Sequence, residues 1–214
     1  MKTLLVDKYR PQTIEGYVFP STDMERAVKK WIKDGHFPNL LLAGNPGCGK
    51  SSLARILINE FKVEKSDVKI INGSLTTGVG FIREELEPWM KKTSFGGFKV
   101  VLIEEGERLS RQAQDSIKQI IEDYSEDVRF IMTTNNAARI NEALHSRLQV
   151  FTLKEINIDG ILDLIVDIVE KEDIQVLDEA DLMSHISAYA PDLRKIINSI
   201  DKHTDETGLL YTLQ

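Results

Sequence analysis

The sequence predicts an α/β protein built on a five-stranded, mostly parallel sheet, followed by a small all-helical lid domain. Three observations lead to this prediction. Short apolar runs alternate with helical patterns, a glycine-rich segment follows the first run, and the strand-like runs stop after residue 153. Strands that are apolar throughout are typical of parallel sheets covered by helices on both faces. We therefore expect two domains, 1–153 and 154–214.

The five apolar runs are predicted as strands, and the amphipathic segments between them as helices. The predicted strands cover 39–43, 68–71, 100–103, 129–133 and 150–153. The predicted helices cover roughly 22–35, 51–61, 79–91 and 110–124. Pro88 lies inside the third helix and lacks an amide donor, so we expect a kink or a break there.

The last sixty residues carry helical patterns. Residues 158–171 have apolar side chains at helical spacing, which predicts an amphipathic helix. Asp178 is expected to cap a second helix that ends near Tyr189. Pro191 is expected to open a third, at a position where its missing N–H costs little.

The composition is that of an ordinary globular protein, with 42% hydrophobic and 29% charged residues. The net charge of −7 means that any nucleic-acid contact must come from a local patch. The longest apolar run is too short to span a bilayer, and the N-terminus lacks the features of a signal peptide. The single cysteine, Cys48, excludes an intrachain disulfide and suits a reducing compartment.

Residues 44–51 read Gly-Asn-Pro-Gly-Cys-Gly-Lys-Ser and match the P-loop pattern, between an apolar run and a helical pattern. Glycines let such a loop fold around a phosphate, so that its N–H groups and the helix N-terminus face the anion. In this arrangement Lys50 reaches the β- and γ-phosphates, and the Ser51 hydroxyl ligates Mg²⁺.

A pair of acidic residues follows the third predicted strand, in the segment Val-Val-Leu-Ile-Glu-Glu at 100–105. The end of a buried strand can deliver carboxylates to the phosphate site. Glu104 is expected to orient Mg²⁺, and Glu105 to polarise the attacking water. An ordinary core strand with surface acids would explain this segment equally well by itself, but its place after a P-loop favours the functional interpretation.

With four further motifs, these segments resemble the AAA+ ATPases, and within them the subunits of sliding-clamp loaders. The further motifs are Lys8-Tyr9-Arg10-Pro11, the strand ending at Asn135-Asn136, Ser146-Arg147-Leu148 and Pro191-Asp192-Leu193-Arg194-Lys195. Their order and spacing cover nearly the whole chain. The short N-terminus and the Pro-Asp-Leu-Arg-Lys segment at 191–195 are most similar to the large, ATP-hydrolysing subunit of tailed-phage clamp loaders. The resemblance implies an ATPase that uses ATP and Mg²⁺.

The resemblance also implies a role for each motif residue. The nucleotide-binding residues are Tyr9, Arg10, Pro11, Gly44, Asn45, Pro46, Gly47, Cys48, Gly49, Lys50, Ser51, Ser52 and Arg194. The first three of these would wall the adenine, and Arg194 would close the lid over the γ-phosphate. Ser51 and Glu104 would hold the metal.

Three residues would act in catalysis by the same resemblance. Glu105 would be the general base, and Asn135 would hold the attacking water, with Asn136 as an alternative. Arg147 would be an arginine finger that acts on ATP held by the next subunit. Each also has an ordinary explanation, as a surface acid, a polar strand end or a local salt-bridge residue.

The sequence departs from the family pattern in three places. Glu104 stands where the family has Asp, which puts the hydrolysis rate in doubt, and Leu148 stands where it has Cys. Clamp-loader subunits usually continue into a helical collar that builds a pentamer, whereas this sequence stops at Gln214. A fragment, an incomplete reading frame and an unusually short homologue all remain open.

The implied partners are other clamp-loader subunits in a hetero-pentamer, if a collar is present, together with the sliding clamp and primer–template DNA. No membrane partner is expected, and the chain alone is expected to be monomeric. The expected location is the cytoplasm, that of a bacterial host if the source is a phage. Candidate DNA contacts at helix N-termini are Thr76, Thr77, Gly78, Arg83, Ser110, Arg111 and Gln112.

Two other functions stay open. A non-hydrolysing subunit, in which ATP has only a structural role, is favoured by Glu104. The presence together of Lys50, Glu105, Arg147 and Arg194 argues against it. Another AAA+ motor, such as a helicase loader or a branch-migration motor, is disfavoured by the motifs at 9–11 and 146–147.

Overall fold

The computed structural model describes residues 3–75, 78–154 and 157–210, and its centre is a five-stranded sheet in the order β2-β3-β4-β1-β5. All four neighbouring pairs are parallel, which confirms the predicted fold class. Each strand boundary lies within one residue of its prediction. The strands are β1 (Leu40–Gly44), β2 (Val68–Asn72), β3 (Lys99–Glu104), β4 (Val128–Thr134) and β5 (Gln149–Leu153).

Helices cover both faces of the sheet, and each face has its own hydrophobic core. Because successive strand residues point to opposite faces, Leu40 and Leu42 enter one core and Leu41 the other. The helices that precede β5 in the chain are α1 (Leu5–Lys8), α2 (Thr22–Asp34), α3 (Lys50–Glu60), α4 (Val79–Phe81), α5 (Glu87–Met90), α6 (Arg111–Asp123) and α7 (Glu142–His145).

The irregularity expected around Pro88 takes the form of a π-helical turn. This turn, Ile82–Leu86, lies between α4 and α5, and Pro88 sits in the first turn of α5. Proline has no amide hydrogen to continue an α-helical ladder, and a wider turn is one way to accommodate this. The helical segment therefore continues through Pro88 instead of ending before it.

The C-terminal part contains α8 (Ile158–Lys171), α9 (Glu179–Tyr189) and α10 (Leu193–His203), packed around a third core. Two short strands, β6 (Gln175–Val176) and β7 (Leu209–Leu210), pair in parallel there, which an all-helical prediction did not include.

The third core also takes in residues from the other end of the chain. Leu5 is buried in it and Tyr9 packs against it. The division at residue 153 stays a prediction. In the described ranges, no helix combines the length and apolar character that crossing a bilayer requires.

The prediction that Pro191 occupies the first position of α10 was wrong. The helix begins at Leu193, and Asp192 is its N-cap, with its carboxylate accepting a hydrogen bond from the Lys195 amide at 3.0 Å. A side-chain acceptor at this position satisfies an amide that the helix cannot pair, so Asp192 sets the start. Pro191 lies just outside.

The third core gives a matched test of packing on one helix. Ile165 is fully buried, whereas its neighbour Val166 is 51% exposed. We expect Ile165→Ala to lower the free energy of unfolding by about 2–5 kcal/mol, because a cavity forms. Val166→Ala should cost about 0.5 kcal/mol or less. Urea unfolding followed by circular dichroism measures both, and equal losses would contradict the assigned packing.

Candidate functional site

A cavity of about 440 Å³ lies where β1, β3 and β4 end, between the sheet edge and helices α8 and α10. The carboxyl ends of parallel strands are the usual place for a ligand in such folds. The predicted site residues that line the cavity are Tyr9, Arg10, Pro11, Pro46, Gly47, Cys48, Gly49, Lys50, Ser51, Ser52, Glu104, Glu105, Asn135 and Arg194.

The loop after β1 has the backbone that phosphate binding requires. Gly47 and Gly49 have φ values of 78° and 91°, in the left-handed region that side chains disfavour. Helix α3 begins immediately afterwards, with no side chain capping its N-terminus and no acidic residue in its first turn. Its first amides therefore point to an anion site, and the loop fits a triphosphate.

The ammonium group of Lys50 fills the centre of this loop. It is 7% exposed and donates hydrogen bonds to the carbonyl oxygens of Gly44 at 2.8 Å and Asn45 at 2.7 Å. These contacts place the first two loop residues, which do not line the cavity. Burial lowers the pKa of Lys50, and the nearby Cys48 and Glu107 oppose this shift. A bound anion would stabilise the charged form further.

The two adjacent acids at the end of β3 point to different partners. Glu104 forms an ion pair with Arg55 of α3, at 3.2 Å. The backbone of Glu105 turns into the left-handed region, with φ 56°, and its carboxylate accepts a hydrogen bond from the Ser74 hydroxyl. Arg108 lies 3.8 Å from the same carboxylate. Sequence analysis missed Arg55 and Ser74, because nothing in the local pattern around them marks these contacts.

The structure separates the two asparagines that follow β4. Asn135 lines the cavity and donates from its amide nitrogen to the Glu107 carboxylate at 3.1 Å. Asn136 instead accepts a hydrogen bond from the Ala138 amide at 3.1 Å and caps a short 3-10 turn. The second carboxylate oxygen of Glu107 is buried and, within residues 3–75, 78–154 and 157–210, has no hydrogen-bond partner. Sequence analysis also missed Glu107, although it follows Glu104 by three residues in the same acidic segment.

The helical part reaches the cavity through α10. Arg194 lines the cavity, and Asp192 lies directly against the P-loop, where a Cβ atom placed on Gly47 would collide with its carboxylate. Tyr9 donates from its hydroxyl to Glu172, at the end of α8, at 2.5 Å. Burial, together with this hydrogen bond, raises the pKa of Tyr9 to about 12.

Arg147 lies away from this cavity, in a second groove that also contains Lys30 and Arg129. Its guanidinium donates to the Glu122 carboxylate of α6 at 2.6 Å. Leu148, where the resembled family has Cys, is buried in the core beside it. Arg147 therefore cannot be counted among the groups that surround its own chain's cavity.

A buried glutamine connects α6 to the segment that leads to Arg147. Gln114 donates to the carbonyl oxygens of Leu109 at 3.3 Å and Arg139 at 3.1 Å. Its own carbonyl accepts from the Asn141 amide at 2.8 Å. Both ends of this buried amide are thus paired, as buried polar groups in folded proteins generally are. These contacts fix the position of α6 relative to the segment that leads to Arg147.

The structure describes five of the seven candidate DNA-contact residues, and these five differ in their surroundings. Thr76 and Thr77 lie outside the described residues. Gly78, Arg83, Arg111 and Gln112 are exposed. The Ser110 hydroxyl accepts from the Ala113 amide at 3.2 Å, so this residue has the ordinary role of a helix cap.

Comparison with known proteins gives a consistent family. The profile of the ATPase family associated with various cellular activities (AAA) matches residues 40–156. The replication factor C small subunit of Archaeoglobus fulgidus is 29% identical over 91% of the chain, and that of Aeropyrum pernix 30% identical over 92%. The chain spans 62% of the length of each of these relatives.

Solved structures share the fold. The RuvB Holliday junction branch migration motor of Thermotoga maritima superposes with a TM-score of 0.71. The match covers 92% of this chain and 65% of that one, at 19% sequence identity. At this identity the likeness shows the fold alone.

The contact between Gly47 and Asp192 can be tested with two glycines. Gly47→Ala adds a methyl group that collides with the carboxylate, whereas Gly35→Ala, at a similar φ of 73°, meets open space. Both variants should lose stability by roughly 1 kcal/mol through backbone strain. Only Gly47→Ala should also weaken binding of a fluorescent ATP analogue, by at least about tenfold, or 1.4 kcal/mol. Equal affinities in both variants would argue against a role for this contact.

Proposed function

The chain belongs to the AAA family of ATPases, and on that basis we propose that it is an ATPase subunit of a sliding-clamp loader. The similarity to replication factor C small subunits over about nine-tenths of the chain supports this assignment. The observation that carries the proposal is the convergence of Lys50, Glu105, Asn135 and Arg194 on one cavity, with Arg147 in another groove.

Nucleotide binding uses groups that the fold holds in place. The amides of the loop and of the first turn of α3 bind the phosphates, and Lys50 neutralises part of their charge. Arg194, at the start of α10, also lines the cavity. Ser51 and Glu104 are the residues that would hold Mg²⁺, which would offset the negative charge that develops during phosphoryl transfer.

Water activation falls to Glu105. Its carboxylate lies at the cavity wall and is held there by the Ser74 hydroxyl. To accept a proton from water it must exchange this hydrogen bond for one to the water. Asn135, oriented by Glu107, provides a second polar group for the same water. An intact set of these groups favours hydrolysis over a purely structural ATP site.

The position of Arg147 suits an action on a neighbouring subunit. It lies in the second groove, is partly exposed and is paired with Glu122. A guanidinium supplied in trans can stabilise the charge of the transition state and raise the rate by orders of magnitude. Assembly into a ring is therefore required for full activity.

An exposed aromatic side chain suggests a surface that binds another protein, and we propose that this protein is the sliding clamp. Phe95 is 84% exposed, in the loop between α5 and β3. The loop is held by two buried charges. The Asp67 carboxylate accepts from the amides of Phe95 at 2.7 Å and Gly96 at 3.1 Å, and Lys99 donates to the Trp89 carbonyl at 2.8 Å. These contacts hold the backbone that carries Phe95, and aromatic side chains are enriched at protein interfaces.

The finer parts of the proposal rest on the motifs at 8–11 and 191–195, which are most similar to the large subunit of tailed-phage clamp loaders. We place the protein in the cytoplasm of a bacterial host. Its partners are other loader subunits, the clamp and primer–template DNA. The exposed Arg83 and Arg111 are the candidates for contacts with the DNA backbone.

The test of this function is ATP turnover in the reconstituted loader, with and without clamp and primer–template DNA. Turnover should rise when both are added. Glu105→Gln should bind ATP normally and lose most of this turnover, because an amide cannot accept the proton. If turnover is unaffected, the base lies elsewhere, and Glu104→Gln is the next variant to measure.

The trans role predicts that Arg147→Ala changes activity only in the assembly. The isolated chain should keep its ATP affinity, measured by calorimetry, whereas turnover of the assembly should fall by about a hundredfold or more. Arg26→Ala, which removes an arginine from an exposed pair with Asp23, serves as the control and should change neither quantity. Loss of affinity in the isolated Arg147→Ala chain would place the residue in cis.

A further inference from the structure

Helix α3 contributes a charged side chain, Arg55, to the cavity, and this residue belongs neither to the P-loop nor to the acidic segment at 100–105. Arg55 lies one turn beyond the loop and lines the cavity together with Glu104. Its terminal nitrogen is 3.2 Å from a Glu104 carboxylate oxygen. In the described part of the chain, Arg55 is the only side chain in an ion pair with Glu104.

The ion pair between Arg55 and Glu104 is partly buried in the cavity wall. The Arg55 side chain is 41% exposed and that of Glu104 only 20% exposed. The Arg55 Nε atom is buried and has no hydrogen-bond partner among the residues that the structure describes. A buried donor without a partner costs free energy, so the guanidinium is placed here at some expense to stability. A half-exposed pair returns little stability, which argues for a role other than holding the fold.

The acid at position 104 is a glutamate, and the length of its side chain suggests why it would need a partner. Glu104 follows the buried part of β3, and Asn72 is its register partner on β2, so its backbone is fixed. A glutamate side chain has one more rotatable bond than aspartate, so its carboxylate can occupy more positions from the same backbone. Arg55 engages one carboxylate oxygen and removes much of this freedom. The other oxygen can then face a metal-bound water.

We propose that Arg55 is a positioning residue that holds the Glu104 carboxylate where it can bind the nucleotide-bound Mg²⁺. The inference rests on the proposed function, because it needs a Mg²⁺–nucleotide complex in this cavity. A second effect opposes it: the positive charge of Arg55 repels the cation. The two effects predict opposite signs when Arg55 is replaced, so the experiment can separate them.

The experiment is a double-mutant cycle read by nucleotide binding and not by turnover. A fluorescent ATP analogue is titrated onto the full chain at a series of Mg²⁺ concentrations, and the half-saturating Mg²⁺ concentration is measured. The chains are the wild type, Arg55→Met, Glu104→Asp and the double variant. Arg55→Met should raise the half-saturating concentration by about tenfold, as loss of an outer partner of a metal ligand commonly does. Arg55→Lys should restore part of this loss.

In the Glu104→Asp background the shorter side chain does not depend on Arg55. There, Arg55→Met should change the half-saturating concentration by less than about twofold, so the two positions are coupled. Arg26→Met, on the exposed face of α2, is the matched control and should leave the value unchanged. Thermal melts followed by circular dichroism should show all variants folded.

Two results would overturn the inference. If Arg55→Met lowers the half-saturating Mg²⁺ concentration, Arg55 acts by repulsion and not by positioning. If Arg55→Met has the same effect in the wild-type chain and in the Glu104→Asp variant, Arg55 acts through the general field of the site. A wild-type chain that binds the analogue with no dependence on Mg²⁺ would contradict the proposed function itself, which is a distinct outcome.

Discussion

Parallel pairing of the five strands is the constraint on which the site depends. All strands run in one direction, so their carboxyl ends lie along one edge of the sheet. Ala43 is in register with Thr134, and Asn72 with Glu104. Residues far apart in the sequence therefore meet without any long loop to hold them. The glycine-rich loop, the acids and the amide at Asn135 are all consequences of where a strand ends.

The fold was largely predictable because its signals are local. Apolar runs, a P-loop and helix caps such as Asp178 depend on neighbouring residues, and each appears where the sequence places it. Pro191 misled for the same reason: a local rule placed it in α10, but the adjacent Asp192 is the better cap. The two-residue strands β6 and β7 were beyond such rules, since they form only when distant segments pair.

The site was predictable in outline but not in its contacts. Ser74, Arg55 and Glu107 touch the predicted residues through side chains from other elements, and no spacing rule encodes such contacts. The different contacts of Asn135 and its neighbour depend on a cap that exists only in the folded chain. These contacts share one feature: each of the three carboxylates, at Glu104, Glu105 and Glu107, has a side-chain partner.

The packing of α1 has a consequence for how the molecule folds. Leu5 lies in the core of α8 and α10, and its amide donates to the Asp201 carboxylate at 3.4 Å, across 196 positions of sequence. The helical part is thus completed by a segment that precedes the whole sheet in the chain. Contacts of such large sequence separation carry a high entropic cost, since a long loop must close to form them. The cover over the cavity, to which Val6 and Tyr9 contribute, is therefore complete only when α1 is docked on α10.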